Sequence, residues 1–144
     1  PNETLAAFRN QWFHTGDLLR QDADGYFYFV GRSKDIVRRR GENISSAEVE
    51  MGLETHPDVL EAAVFGVPHE RLGEEVGVAI FPKEGVSLTA DDLWKFLDGK
   101  ISSFKVPNHV VIMNEPLPRN AAGKFLKTEL RDLVGKGTLK AETR

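Results

Sequence analysis

The order of apolar and polar residues near the start of the chain predicts a β-hairpin. Apolar and polar side chains alternate over residues 12–19 and again over residues 26–30, as expected for strands with one buried face. Residues 22–25 separate the two runs and end in Asp-Gly, a pair that favours the positive φ values of a tight turn. A third short strand is predicted over residues 35–40, where Gly41 ends the run.

Two later positions predict the start of a helix. Ser45 is followed three residues later by Glu48, a spacing typical of a capping box, in which each side chain binds the backbone N–H of the other residue. The same spacing recurs at Thr89 and Asp92. We therefore predict one helix that begins at Ser45 and ends near Pro57, and a second that begins at Thr89.

The remaining apolar runs complete the predicted fold. Residues 59–67, 76–81 and 109–113 are rich in β-branched and apolar side chains and indicate buried strands. A last helix is predicted over residues 126–134, and the polar residues 135–144 are expected to fray. This order indicates an α+β fold, in which a small mixed β-sheet is covered by helices and preceded by a β-hairpin.

Composition narrows the class of protein. The chain has 144 residues, of which 40% are hydrophobic and 28% charged, typical of a globular domain. A net charge of −3 argues against a general nucleic-acid partner. The absence of cysteine excludes disulfides and fits a cytoplasmic location. We expect no transmembrane segment, because no apolar run approaches ~20 residues, and no metal site, because the four histidines are scattered.

Asp17 and Arg32 are candidate binding residues at the ends of the two hairpin strands. The carboxylate of Asp17 could accept two hydrogen bonds from a ribose diol, and the guanidinium of Arg32 could donate several to ribose or phosphate oxygens. Taken by itself, Asp17 is more often a surface carboxylate that begins a turn, and the alternative for Arg32 is a solvated arginine at a strand end. Lys34 follows in an exposed connection, and Gly41 either sets a turn with positive φ or lets a ligand approach the backbone.

Lys124 is the strongest catalytic candidate. It ends residues 118–124, Pro-Arg-Asn-Ala-Ala-Gly-Lys. A P-loop is excluded, because Pro118 stands where that motif needs glycine and Phe125 where it needs serine or threonine. The pattern instead indicates a lysine on a flexible loop of small residues, delivered into an active site that another domain builds. A compact ammonium there could neutralise a carboxylate and a phosphate.

Three blocks together resemble the C-terminal end of an AMP-forming acyl-CoA synthetase, whose superfamily includes peptide-synthetase adenylation domains and luciferases. The blocks lie at residues 15–17, 31–44 and 118–124. Two departures weaken the subfamily assignment: Gln11 replaces the glycine usual before Trp12, and Ser46 stands where many relatives have proline.

The resemblance implies a role for each candidate residue. Lys124 would be the adenylation lysine. Asp17 and Arg32 would bind the nucleotide, Lys34 would be the hinge between two domains, and Gly41 would line the tunnel for the pantetheine arm of coenzyme A.

The resemblance also implies how the chain is divided and what it acts on. Residues 1–34 would be the tail of a large N-terminal domain, and residues 35–144 the small mobile C-terminal domain. The complete enzyme would use ATP, Mg²⁺, coenzyme A and a small-molecule carboxylic acid, whereas this fragment alone would be inactive. Three alternatives stay open: a peptide-synthetase adenylation domain that loads a carrier protein, a luciferase, and a non-enzymatic binding module.

Overall fold

A six-stranded mixed β-sheet with helices on both faces forms the body of the protein. The computed structural model describes residues 2–10 and 12–144; Pro1 and Gln11, and with them the Gln11 departure, lie outside the described residues. The helices are α1 (Asn2–Ala7), α2 (Ser46–Glu54), α3 (Ala90–Leu97) and α4 (Lys127–Gly135). The strands are β1 (Phe8–Arg9), β2 (Trp12–Phe13), β3 (Asp17–Gln21), β4 (Phe27–Arg32), β5 (Ile36–Arg39), β6 (Glu42–Ser45), β7 (Val59–His69), β8 (Gly73–Pro82), β9 (His109–Ile112) and β10 (Glu142–Thr143).

The long hairpin of β7 and β8 is the centre of the sheet. The two strands pair antiparallel along nearly their whole length, and β9 pairs parallel with β8. Strand β5 joins β8 at Arg39 and pairs antiparallel with β6, while β10 pairs antiparallel with β9. One parallel pair among antiparallel ones makes the sheet mixed, which confirms the predicted α+β fold.

Alternation along β7 sends its side chains to two separate cores. Ala62 and Val64 face a cluster that includes Val49 and Leu53 of α2 and the buried face of α3. The alternate residues of β7, such as Phe65, face a second cluster with α4. Since strand residues point alternately to opposite faces, a strand that is apolar at nearly every position must be covered on both sides.

The hairpin of β3 and β4 precedes this body, as predicted, but its first strand is shorter than expected. Residues 12–19 do not form one strand, because Gly16 adopts φ +75° and turns the chain. Trp12 and Phe13 instead pair with β1 in a separate two-stranded sheet. The hairpin turn is closed by Asp22, whose carboxylate accepts hydrogen bonds from two backbone N–H groups and from the Tyr28 hydroxyl, which lowers the pKa of Asp22.

Two local predictions need correction and one is confirmed. The capping box at Thr89 forms as expected, whereas Ser45 occupies an N-cap position without making a capping bond to α2. The polar C-terminal segment was expected to fray, but Glu142 and Thr143 pair with β9. No helix within residues 2–10 and 12–144 is long and apolar enough to cross a membrane.

Leu130→Ala tests the second core. Leu130 of α4 is completely buried, and we expect the substitution to lower the free energy of unfolding by about 2–5 kcal/mol, because it deletes buried atoms and leaves a cavity. Urea unfolding of the chain measures this, and a single cooperative transition is expected. Leu60→Ala is the matched control, because Leu60 is 55% exposed. Equal losses in both variants, or a transition without cooperativity, would contradict the burial of Leu130 in a packed second core.

Candidate functional site

An open cavity of about 1200 Å³ lies between the end of β4, the start of α2 and the turn that precedes α4. Three of the five predicted site residues line it, although they are far apart in the sequence. Seven of the twelve charged residues on its wall are basic, a local excess of positive charge that suits an anionic ligand although the whole chain has a net charge of −3. The basic residues are Arg32, Lys34, Arg119, Lys124, Lys127, Arg131 and Lys136; the acidic ones are Asp35, Glu50, Glu74, Glu129 and Asp132.

Asp17 and Arg32 form an ion pair at the base of the hairpin. They are directly opposite each other on β3 and β4, and Nε of Arg32 lies 3.1 Å from Oδ1 of Asp17. Although Asp17 does not line the cavity, it contacts Arg32, which does. Oδ1 makes no aligned hydrogen bond and is shielded from solvent. The pair thus presents a carboxylate and a guanidinium side by side, a combination that suits ribose hydroxyls and phosphate.

Lys34 lies in a single 3₁₀ turn, Ser33–Asp35, that connects β4 to β5. The chain on both sides of this turn is anchored to the start of α2. The Ser45 hydroxyl donates to the carbonyl of Val30 at 2.7 Å, and the Ser46 hydroxyl donates to the carbonyl of Asp35. This explains why Ser45 does not cap its own helix: its hydroxyl is already bound to the hairpin. Sequence reasoning missed both contacts.

The turn that carries Lys124 is well ordered by its own hydrogen bonds, not the open, flexible loop that its small residues suggested. The side-chain oxygen of Asn120 accepts hydrogen bonds from the N–H groups of Ala122 and Lys124, both at 3.0 Å. The Asn120 N–H also donates to the Lys124 carbonyl at 2.9 Å. Gly123 has φ +78°, which closes the turn. The Lys124 side chain is exposed and makes no ion pair within the described part of the chain.

A second lysine on the cavity wall is held by a carboxylate. Nζ of Lys127 lies 2.6 Å from Glu50, which also accepts a hydrogen bond from the backbone N–H of Val64 at 2.7 Å. Burial raises the pKa of Glu50, and the neighbouring Lys127 opposes this shift. The pair connects the first residue of α4 to α2. The ammonium of Lys127 is therefore neutralised by Glu50, whereas that of Lys124 has no ion-pair partner among the described residues.

Gly41 lies away from this cavity, in the turn between β5 and β6. Arg40 and Gly41 have φ values of +52° and +85°, as in the tight turns that join two antiparallel strands. A Cβ atom added to Gly41 would meet no atom within 4 Å. Glycine is therefore favoured here by the positive φ, and the space beside it is open.

The basic run before Gly41 does not form one flat patch, as its position on a strand predicts. Arg38 and Arg40 are exposed, whereas Arg39 is half-buried and donates from Nη1 to the carbonyl of Phe104 at 3.2 Å. Within residues 2–10 and 12–144, no three His, Cys, Asp or Glu side chains come together as metal ligands.

The chain belongs to the family described as the AMP-binding enzyme C-terminal domain, whose model matches residues 48–124. Over 125 residues it is 45% identical to an oxalate–CoA ligase of Arabidopsis thaliana, covering 87% of this chain and 24% of that protein. It is 41% identical over 140 residues to an indoleacetate–CoA ligase of Aromatoleum aromaticum, covering 97% of this chain and 27% of that protein. The chain thus spans about a quarter of the length of these relatives.

Solved structures show the same fold. The ATP-bound MatB structure from Rhodopseudomonas palustris matches with a TM-score of 0.81 and 36% identity, covering 94% of this chain and 27% of that one. The apo structure of the same protein matches over the same shares with a TM-score of 0.72 and 37% identity. These matches confirm the resemblance to acyl-CoA synthetases that the three sequence blocks indicated.

Proposed function

We propose that this chain is the C-terminal part of an AMP-forming acid–thiol ligase, and that its cavity is the part of the active site where the acyl-adenylate forms. In the first step a carboxylate oxygen attacks the α-phosphorus of ATP, and the bond to pyrophosphate breaks. In the second, the sulfur of a thiol attacks the acyl carbon and loses its proton, while the bond to AMP breaks. The observation that carries the proposal is that Arg32 and Lys124, 92 positions apart in the sequence, line one cavity in which basic residues outnumber acidic ones.

Lys124 is the catalytic residue of the first step. Two anions, the substrate carboxylate and the α-phosphate, must meet, and negative charge redistributes between them as the bond forms. A preorganised ammonium stabilises that charge most when nothing else neutralises it. The exposed Lys124 meets this requirement, whereas Lys127 on the same wall is already paired with Glu50.

Asp17 and Arg32 bind the nucleotide in this proposal. Their ion pair holds both side chains in place at the base of the hairpin before ATP binds, so little side-chain conformational entropy is lost on binding. The carboxylate then accepts from the ribose hydroxyls, and the guanidinium donates to ribose or phosphate oxygens. ATP and coenzyme A are substrates of the complete enzyme. Mg²⁺ would enter with the ATP phosphates and would help to neutralise their charge.

Lys34 is the hinge, with residues 1–34 belonging to a large N-terminal domain and residues 35–144 forming the small mobile one. Rotation there would break the bond from Ser45 to Val30, which joins the two parts. The higher similarity to ATP-bound than to apo MatB supports assigning the present arrangement to the first step. The exposed aromatic side chains of β4, among them Phe27 at 66% and Phe29 at 61%, support packing of the hairpin on a partner domain.

Gly41 serves the second step. It does not line the cavity that Lys124 lines. One orientation of the small domain would therefore present the lysine, and another would present the open space beside Gly41 to the pantetheine arm of coenzyme A. Because one site is used for two chemistries in turn, the two faces never need to act together. This is a hinge-type domain motion of the kind that many enzymes use to separate steps.

The names of the relatives favour coenzyme A over a carrier protein as the acceptor, since both relatives above are CoA ligases. A peptide-synthetase adenylation domain would use the same pantetheine thiol on a carrier protein, and the complete protein would then load the carrier faster than free coenzyme A. A cytoplasmic location stays a prediction, supported by the absence of cysteine.

The chain by itself is expected to be inactive, because the cavity supplies only one side of an active site. Acid-dependent exchange of radioactive pyrophosphate into ATP measures the first step directly. The complete protein should catalyse it with a suitable carboxylic acid, and the 144-residue chain should not. Exchange by the isolated chain would contradict the division of the site between two domains, and a complete protein inactive with all carboxylic acids would contradict the proposed ligase.

A further inference from the structure

One arginine on the cavity wall connects the Lys124 turn to the central sheet. Nη1 of Arg119 donates to the carbonyl of Gly123 at 2.7 Å, and Nη2 lies 2.8 Å from Oε1 of Glu61. The same guanidinium lies over the ring of Phe125, 4.0 Å from its centroid. Arg119 therefore contacts the residue on each side of Lys124.

Glu61 anchors this arginine to the sheet. It lies on β7, the strand that pairs with β8 along most of its length, and its side chain is only 17% exposed. Its second oxygen accepts a hydrogen bond from the backbone N–H of Leu117 at 2.8 Å. Both carboxylate oxygens of Glu61 are thus bound by residues 117–119, which lead into the Lys124 turn. Glu61 itself does not line the cavity.

The geometry of the contacts requires an arginine. A guanidinium presents several donors in a fixed plane, so one side chain can bond Glu61 and Gly123 at once and still stack on Phe125. A lysine in its place could reach one acceptor at a time and would leave the turn free to shift. Since reaction rates fall steeply when a catalytic group is misplaced by about 1 Å, a small displacement of the turn is sufficient to matter.

We propose that Arg119, anchored by Glu61, is a positioning residue that holds the ammonium of Lys124 in place for the first half-reaction. The inference rests on the proposed function of Lys124. It extends that function to a pair of residues 58 positions apart, one of which is outside the cavity. Arg119 supports the turn from the side of the sheet, while the hydrogen bonds of Asn120 close it from within.

Single-turnover measurements on the complete protein test this with three variants. Glu61→Gln, Arg119→Gln and Arg119→Lys should each slow adenylate formation at saturating ATP by about 10- to 100-fold. Thioester formation from supplied acyl-AMP and the KM for ATP should stay within about twofold of the parent values. Lys95→Gln is the control, because Lys95 forms an exposed ion pair with Asp91 on α3, away from the cavity.

The pattern of losses separates positioning from other roles. Full activity in Arg119→Lys, together with a raised KM for ATP in Arg119→Gln, would mean that the charge of Arg119 acts on the nucleotide. Equal losses in both half-reactions would mean that Arg119 has a structural role. Either result would overturn the inference. Combined with Lys124→Ala, the Arg119→Gln change should cost nothing further, because there is no lysine left to position. Multiplicative losses would also overturn it.

A structural readout complements the kinetics. Hydrogen exchange of the backbone amides of residues 118–126 should accelerate by about tenfold or more in Glu61→Gln, while the peptides of β7 and β8 keep their protection. Unchanged exchange would overturn the inference. A large effect of Lys124→Ala with none of Glu61→Gln would reject only the positioning role, whereas no effect of Lys124→Ala would reject the proposed function of Lys124 itself.

Discussion

Lys124→Ala in the complete protein is expected to slow adenylate formation by roughly 10²–10³-fold, the scale seen when one preorganised charge-stabilising group is removed. The reason is the meeting of two anions in the first step, where Lys124 is an exposed ammonium at the end of an ordered turn that lines the cavity. Thioester formation from supplied acyl-AMP is expected to stay nearly unchanged, because rotation about Lys34 would by then have withdrawn the lysine.

Rapid-quench measurement of the two half-reactions decides between these outcomes. Lys140→Ala is a matched control, since Lys140 is also exposed but does not line the cavity; it should leave both rates as they are. Equal losses in the two half-reactions, or none in the first, would mean that Lys124 is only a solvated charge on a surface turn. The fold itself should be unaffected, because Lys124 makes no ion pair within residues 2–10 and 12–144.

The two predicted helix N-caps, Ser45 and Thr89, show what local sequence patterns can and cannot predict. Thr89 and Asp92 form the capping box that their spacing predicts. Ser45 and Glu48 have an equivalent spacing, yet the Ser45 hydroxyl binds Val30 and the Glu48 carboxylate binds Lys105. The difference is non-local: a partner distant in sequence competes with the helix N-terminus for the same side chain.

The same limit applies to the site. The hairpin that carries Asp17 and Arg32 could be predicted, but their pairing could not, because a β-bulge between Leu18 and Leu19 shifts the register of the two strands by one residue. The bond between Arg119 and Glu61 depends on how the turn packs on β7, and no periodicity in either segment indicates it. Glu61 was not predicted; the one signal that could have indicated it is a single carboxylate in the otherwise apolar run 59–67, since such a group needs a partner when it is buried.

The two glycines that end predicted strands also had different outcomes. Gly16 was part of a run that alternates like a strand, yet its positive φ ends that run and directs Trp12 and Phe13 into a separate pair of strands. Gly41 was correctly expected to break the strand before it. In both places a glycine with positive φ ends a strand. Both glycines lie among polar residues, so the polarity of the neighbours does not separate the two cases.

Gly41→Leu in the complete protein is expected to reduce thioester formation by about 100-fold or more while adenylate formation stays within about twofold of the parent rate. The open space beside Gly41 would be filled by the new side chain, and coenzyme A would need that space only in the second step. Adenylate formation uses the separate cavity lined by Lys124, which Gly41 does not touch. The expected pattern is therefore the reverse of that for Lys124→Ala.

Strain must be separated from obstruction, because Gly41 has φ +85° and any side chain there costs about 1–2 kcal/mol. Gly85→Leu provides the matched control: Gly85 has φ +76°, lies in another turn, and a Cβ atom there would also meet nothing within 4 Å. If Gly85→Leu spares both half-reactions and Gly41→Leu blocks only the second, obstruction is the cause. Equal losses of both half-reactions in Gly41→Leu would instead mean that the turn between β5 and β6 serves the fold rather than a passage for the thiol.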